Sequence, residues 1–195
     1  FSLCSNTIGS LCGYLCLLGN KSVPVMLDAA MDSDMLRQLI EIYQPNYFWV
    51  PAEMEHKLGE NVRCVTEYAD YKLFQNGNAS LIKMHSDLAL LLTTSGSTGS
   101  PKFVRLTYKN IESNALSIAK YLEISKDDRP ITSLPMHYSY GLSVINSHLI
   151  VKASLLLTQK SIMEKEFWAF FKEQGATSIA GVPYSYQMLK RLRLQ

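Results

Sequence analysis

The sequence predicts an α/β fold, and three observations carry that prediction. Helical and strand-like patterns alternate from one end of the chain to the other, as in a sheet served by crossover helices. Leu88 to Leu92 is continuously apolar, as expected of a central strand covered on both faces. The chain has 195 residues, 47% of them apolar, and no repeat or low-complexity tract interrupts them, which is enough for a sizeable core.

In chain order, the apolar spacing predicts a helix from about Leu3 to Leu18, closed by Gly19-Asn20, and then a buried strand from Val23 to Leu27. A second helix is expected over Ser33 to Tyr43, capped by Asp32 or Ser33, with Pro45 just past its end. Tyr47 to Val50 reads as a strand stopped by Pro51. Between Ala52 and His85 the pattern is less regular, with short strands at Cys64 to Glu67 and Tyr71 to Phe74 and a turn at Gln75-Asn76-Gly77-Asn78. The strand Leu88 to Thr93 is followed by a loop rich in glycine and hydroxyl residues. A strand from Phe103 to Leu106 and a helix from about Lys109 to Leu122, capped by Thr107, come next. Beyond Asp127-Asp128 the expected order is a strand Ile131 to Leu134, a loop Pro135 to Tyr140, and an apolar helix to about Val151. A strand Ser154 to Leu157, a helix Glu164 to Gln174, a strand Ser178 to Gly181 and a terminal helix from Tyr184 complete it.

Charge and cysteine usage narrow the classes of function. Charged residues make up 18% and the formal net charge is +2, too weak a field to attract nucleic acid or an anionic membrane, so a small molecule is the expected partner. The basic cluster Lys190, Arg191 and Arg193 falls at a helix end, where cations suit the dipole. Cys4, Cys12, Cys16 and Cys64 form no CxxC pair and no small disulfide framework, which points to a reducing compartment, the cytoplasm by default. Cys12 and Cys16, one helical turn apart, read as small buried residues. The apolar run Leu11 to Leu18 is too short to span a membrane and lacks the basic flank of a signal peptide. No Cys/His constellation has zinc spacing.

The chemistry concentrates in Thr93-Thr94-Ser95-Gly96-Ser97-Thr98-Gly99-Ser100-Pro101-Lys102, directly after the apolar strand. Glycines let a backbone turn its N–H groups inward into an anion-binding concavity, hydroxyls donate further hydrogen bonds, and a lysine adds a point charge. Polyphosphate is the natural guest. A Walker A loop is excluded by spacing, because Lys102 is preceded by Pro101 and followed by Phe103, and no GxGxxG occurs. A flexible Ser/Gly linker does not normally separate two strands of one compact domain.

Leu91 to Lys102 resembles, position for position, the signature loop of the adenylate-forming superfamily, which includes acyl-CoA synthetases, peptide-synthetase adenylation domains and luciferases. The resemblance implies that Thr94, Ser95, Gly96, Ser97, Thr98 and Gly99 close over the β- and γ-phosphates of ATP, with Lys102 nearby. The position after the lysine is commonly glycine in the family and is Phe103 here. A second stretch, Leu134-Pro135-Met136-His137-Tyr138-Ser139-Tyr140-Gly141-Leu142, is similar to the family's Pro-x-x-His/aromatic-x-x-Gly segment beside the acyl pocket. In that register Tyr138 takes the gating position and Gly141 the glycine. His137 falls one residue early and is kept as a pocket residue through a slipped register; the alternative is that Tyr138 and Tyr140 pack as core aromatics. Gly19 to Val25 and Gly181-Val182-Pro183 resemble an early helix-to-strand passage and a later strand end, extending the likeness over most of the chain.

What the resemblance implies for the whole is the ATP-dependent activation of a carboxylic acid to an acyl-adenylate, followed by transfer to coenzyme A or a carrier-protein thiol. The family's adenine and magnesium segment, its ribose-binding Asp and its mobile domain with a catalytic Lys have no match in residues 1–195. The chain, which opens at Phe1, is therefore expected to be part of the large domain of such a ligase, inactive alone, with Mg2+ ligands elsewhere. A non-catalytic nucleotide- or acyl-binding module that retains the loop is the rival reading, and an unrelated enzyme with a convergent loop is a third.

Overall fold

A computed structural model describes residues 1–79, 82–93 and 102–191. They form two compact units, Phe1–Tyr108 and Lys109–Gln195, taken separately here.

The first unit is built on a sheet of β1 (Ser2–Cys4), β2 (Val25–Asp28), β3 (Tyr47–Pro51), β4 (Val62–Tyr68), β5 (Tyr71–Asn76), β6 (Leu88–Thr93) and β7 (Phe103–Thr107), in the order β4-β5-β3-β1-β2-β6-β7. Its centre is parallel: β1 pairs with both β2 and β3, and β2 pairs with β6 through Val25–Leu91 and Met26–Leu92. Both flanks are antiparallel, with β7 against β6 on one side and the β4–β5 hairpin against β3 on the other. The crossovers β1–α1–β2 and β2–α2–β3 use α1 (Ile8–Gly19) and α2 (Ser33–Tyr43). Leu36 and Leu39 of α2 join Leu3, Leu27, Phe48, Val50 and Phe74 in one buried cluster. At about 1.5–3 kcal/mol for each fully buried side chain of this kind, the cluster is the main support of the parallel centre.

On α1, Gly13 stands where a Cβ would lie 1.9 Å from Trp49 Nε1, so only glycine lets the helix approach β3 this closely. Trp49 donates from Nε1 to the carbonyl of Gly9 (3.0 Å) and stacks on Tyr71, whose hydroxyl reaches the carbonyl of Leu3 (2.8 Å).

The chain start differs from the sequence expectation. Ser2–Cys4 is a strand, and the helix begins only at Ile8 behind Thr7, whose hydroxyl accepts from Ser10 N. A short strand inside a sheet, covered on both faces, has the same apolar signature as a buried helix. The turn expected at Gln75-Asn76-Gly77-Asn78 is found at Gly77-Asn78, with Asn78 N donating to Asn76 Oδ1 (3.0 Å), while Gln75 and Asn76 extend β5 and the Asn76 side chain donates to Pro45 O (2.8 Å); Ala69-Asp70, with Ala69 at φ 53°, joins β4 to β5. Cys12 and Cys16 are less buried than expected; Cys12 is half-buried and Cys16 exposed, both on the wall of an apolar cleft of about 680 Å3. Cys4 is buried, and desolvation pushes its thiol up to about 12.

The second unit contains α3 (Tyr108–Tyr121, mostly within it), β8 (Pro130–Ile131), α4 (Ser139–Leu149), α5 (Lys165–Glu173), β9 (Ser178–Ile179) and α6 (Pro183–Arg191). β8 and β9 pair in parallel, and the expected strand around Ser154 to Leu157 is reduced to a bridge between Ile131 and Leu156. Ile131, Leu156 and Phe167 form its core, with Trp168 edge-on to Phe167 at 5.1 Å. Lys190 and Arg191 occupy the last turn of α6 as expected; Arg193 lies outside the described residues.

Candidate active site

β6 is interior to the sheet, between β2 and β7, and buries Ala89, Leu90 and Leu92 to 5% exposure or less. Its last residue, Thr93, pairs with Phe103, the first of β7. Thr93 and Phe103, which flank the hydroxyl-rich segment in sequence, are thereby placed together at the carboxyl end of a strand that pairs in parallel with β2, where open α/β sheets place their ligands. Thr94, Ser95, Gly96, Ser97, Thr98 and Gly99 themselves lie outside the described residues. Lys102 is described: it is exposed and immediately precedes β7.

Phe103 explains its own departure from the glycine common in the family. Its ring packs edge-on to Tyr43 at 5.1 Å and against the main cluster. The exit of the loop is thus fixed to α2, a function that a contact across some sixty residues of sequence gave no local sign of.

Within the second unit, the Pro135–Gly141 segment has a physical reason for its spacing. Tyr138 N donates to Pro135 O (3.1 Å), and Tyr138 then caps α4, with Leu142 N donating to its carbonyl (2.9 Å). The first turn of α4 presses Gly141 against the preceding loop, where a Cβ would meet Pro135 O at 2.2 Å and Leu134 O at 2.9 Å. Tyr138 is 48% exposed, so it is not a core aromatic; Tyr140 is 40% exposed. His137 is half-buried between buried Met136 and Tyr138. His137, Tyr138 and Gly141 therefore belong to one compact turn, whereas Lys102 belongs to the first unit.

The sequence missed the group that braces the start of β8. Asp128 accepts from Ser125 N (2.8 Å) and from Thr177 Oγ1 (3.1 Å), and the Ser125 bond, followed by the Thr177 bond, holds its carboxyl below the usual range. Among the described residues no group of three or more His, Cys, Asp or Glu side chains could hold a metal ion, and no helix is long and apolar enough to cross a membrane.

Comparison with known proteins extends this picture. A family model described as "AMP-binding enzyme" matches residues 23–195. Feruloyl-CoA synthase from Amycolatopsis sp is 25% identical over 103 residues, an alignment that takes in 53% of this chain and 21% of that protein. The crystal structure of CmiS6 superposes with a TM-score of 0.79 at 18% identity, covering 98% of this chain and 47% of the other. The O-succinylbenzoate coenzyme A synthetase of Bacillus subtilis, solved with ATP and magnesium ion, gives a TM-score of 0.70 at 20% identity over 97% of this chain and 51% of that one. At these identities the two structures establish the fold. The chain spans about half the length of each of these two structures and 21% of the feruloyl-CoA synthase.

Proposed function

The chain belongs to the AMP-binding enzyme family, and on that premise we propose that its loop from Thr94 to Lys102 holds the terminal phosphates of ATP while a carboxylic acid is activated as an acyl-adenylate. The observation that supports the proposal is the pair Thr93–Phe103, which brings the two flanks of a sequence of hydroxyls, glycines and one lysine together at the carboxyl end of the buried strand β6. This donor set fits a polyphosphate: backbone N–H groups and hydroxyls donate, and each such bond to a charged oxygen contributes about 1.5–3 kcal/mol.

ATP supplies the electrophilic α-phosphorus, and the acid's carboxylate attacks it with pyrophosphate as leaving group. This chain's share is positioning and charge compensation. Thr94, Ser95, Ser97 and Thr98 donate hydroxyl protons to β- and γ-phosphate oxygens, Gly96 and Gly99 bring backbone N–H groups close, and Lys102 compensates the charge. Tyr138 stands at the acyl pocket as a wall, Gly141 keeps the turn tight, and His137 lies beside them. Mg2+ is held by residues outside 1–195, and the acyl group passes to coenzyme A or a carrier-protein thiol. The 195 residues are the N-terminal part of the large domain of such a ligase, working in the cytoplasm. That the chain aligns with 21% of a CoA synthase and overlays half of a CoA synthetase supports this reading.

The test is a competition series on this chain with ATP, ADP and AMP. A grip on the β- and γ-phosphates predicts affinity falling in that order, with AMP weakest. Equal affinity for all three would overturn the assignment.

A further inference from the structure

β6 and β7 do not keep one register from end to end. Thr93–Phe103, Leu92–Val104, Leu91–Arg105 and Leu90–Leu106 pair in step, and the register then shifts by a residue before Leu88–Thr107. β7 is also the last strand of its sheet, held on one side only. A ladder of this kind accommodates a slip of one residue, and such a slip turns every side chain to the opposite face. The constraint at the end next to Lys102 comes from side chains.

Phe103 supplies it. In the observed register it lies opposite Thr93, on the face that Leu91 shares two residues earlier, and Phe103 and Leu91 both pack against the main core cluster. Tyr43, the last residue of α2, meets the Phe103 ring edge-on at 5.1 Å and 66°. The row of rings continues inward through Phe1, 6.4 Å from Tyr43, to Phe48, 6.2 Å from Phe1 and 1% exposed. Gln44, at φ 41°, closes α2 with its N bonded to Ile40 O (2.9 Å), so Tyr43 sits on a finished helix end. Val104 and Arg105, next along β7, are exposed and give no such anchor.

Lys102 comes immediately before this pin. Neighbouring side chains of an extended chain point to opposite faces, so seating Phe103 toward α2 turns Lys102 away from it, and a slip of one residue would exchange the two. We propose that Phe103, seated on Tyr43, is a positioning residue that sets the direction of the Lys102 ammonium and through it the grip on the terminal phosphates of ATP. The proposal rests on the reading of residues 94–102 as the phosphate-binding segment.

The test is a double-mutant cycle on the 195-residue chain, reading the Kd for ATP and for AMP by competition. Lys102→Ala alone should weaken ATP about tenfold or more, the scale of a lost bond to a charged oxygen. Phe103→Gly, which installs the residue common at this position in the family, should weaken ATP about three- to tenfold, the scale of an aromatic pair, and AMP by less than about twofold. Phe103→Tyr, which keeps the ring, should recover most of that loss. In the Phe103→Gly background Lys102→Ala should weaken ATP only about threefold or less, because the ammonium is already misdirected. If Phe103→Gly loses its cooperative urea transition, Tyr43→Leu, which leaves β7 unaltered, takes its place in the cycle with the same expectations. A parent chain that binds ATP no more tightly than AMP would overturn the phosphate reading and this proposal together. A parent that prefers ATP, combined with an ATP-to-AMP ratio unmoved by Phe103→Gly or with losses that simply multiply, would overturn this proposal alone.

Discussion

Gly141 shows how a recognition motif can encode packing as well as chemistry. Its α-hydrogen faces the carbonyl of Pro135, and a methyl group there would sit 2.2 Å from a backbone oxygen that cannot swing away. Gly141→Ala should therefore cost about 1–3 kcal/mol, the range for forcing extra volume into a packed site, seen as a lowered midpoint in urea unfolding. A midpoint equal to the parent's would mean that the turn is looser than described. Tyr138, nearly half exposed at the start of α4, is free of that packing duty. In the longer enzyme, Tyr138→Ala should change the ratio of kcat/KM values across a panel of carboxylic acids and leave the KM for ATP within about twofold; unchanged ratios would remove it from the pocket. Lys102→Ala should reduce productive ATP use by about 1.5–3 kcal/mol in pyrophosphate exchange, with acid affinity unaltered. Among the cysteines, Cys4 has its thiol held up at about 12 by burial and should resist alkylation in the native state at pH 8, while Cys16 and Cys64 react. Mass spectrometry of a timed alkylation checks the order.

At the scale of elements, local signals and their limits separate cleanly. β6 and α2 were legible because each obeys its own periodicity and carries its own punctuation. The α2 boundaries, Ser33–Tyr43, match the expected ones, and Asp32 caps it by accepting from Asp34 N and Met35 N. Asp32→Ala should cost about 1 kcal/mol in denaturant unfolding, and a loss near zero would show the cap to be idle. β1 was not legible, since its burial on both faces comes from distant strands. Nor was the Ala69-Asp70 turn, which has no glycine at its positive φ. It is held by a contact from far away, Gly9 N donating to the Asp70 carboxylate at 3.2 Å. The candidate site divides in the same way. Hydroxyls, glycines and lysine suggest a phosphate-binding chemistry from sequence alone, but the packing of Phe103 on Tyr43 depends on the fold.

At the scale of the molecule, the chain contains a first unit built on the seven-stranded sheet and a second unit carrying the Pro135–Gly141 turn, and it spans about half of the CmiS6 and O-succinylbenzoate coenzyme A synthetase structures. Under the proposed function these residues supply the phosphate grip and a wall of the acyl pocket, and the groups that orient the adenosine, the metal and the reacting phosphorus are not among them. Orientation of two reactants is worth about 7–11 kcal/mol of barrier, so a chain lacking most of it should bind a triphosphate without turning it over. The most direct measurement is carboxylate-dependent exchange of labelled pyrophosphate into ATP, run side by side on residues 1–195 and on the longer protein. The account predicts exchange by the longer protein alone, and robust exchange by the 195 residues, or none by either, would contradict it.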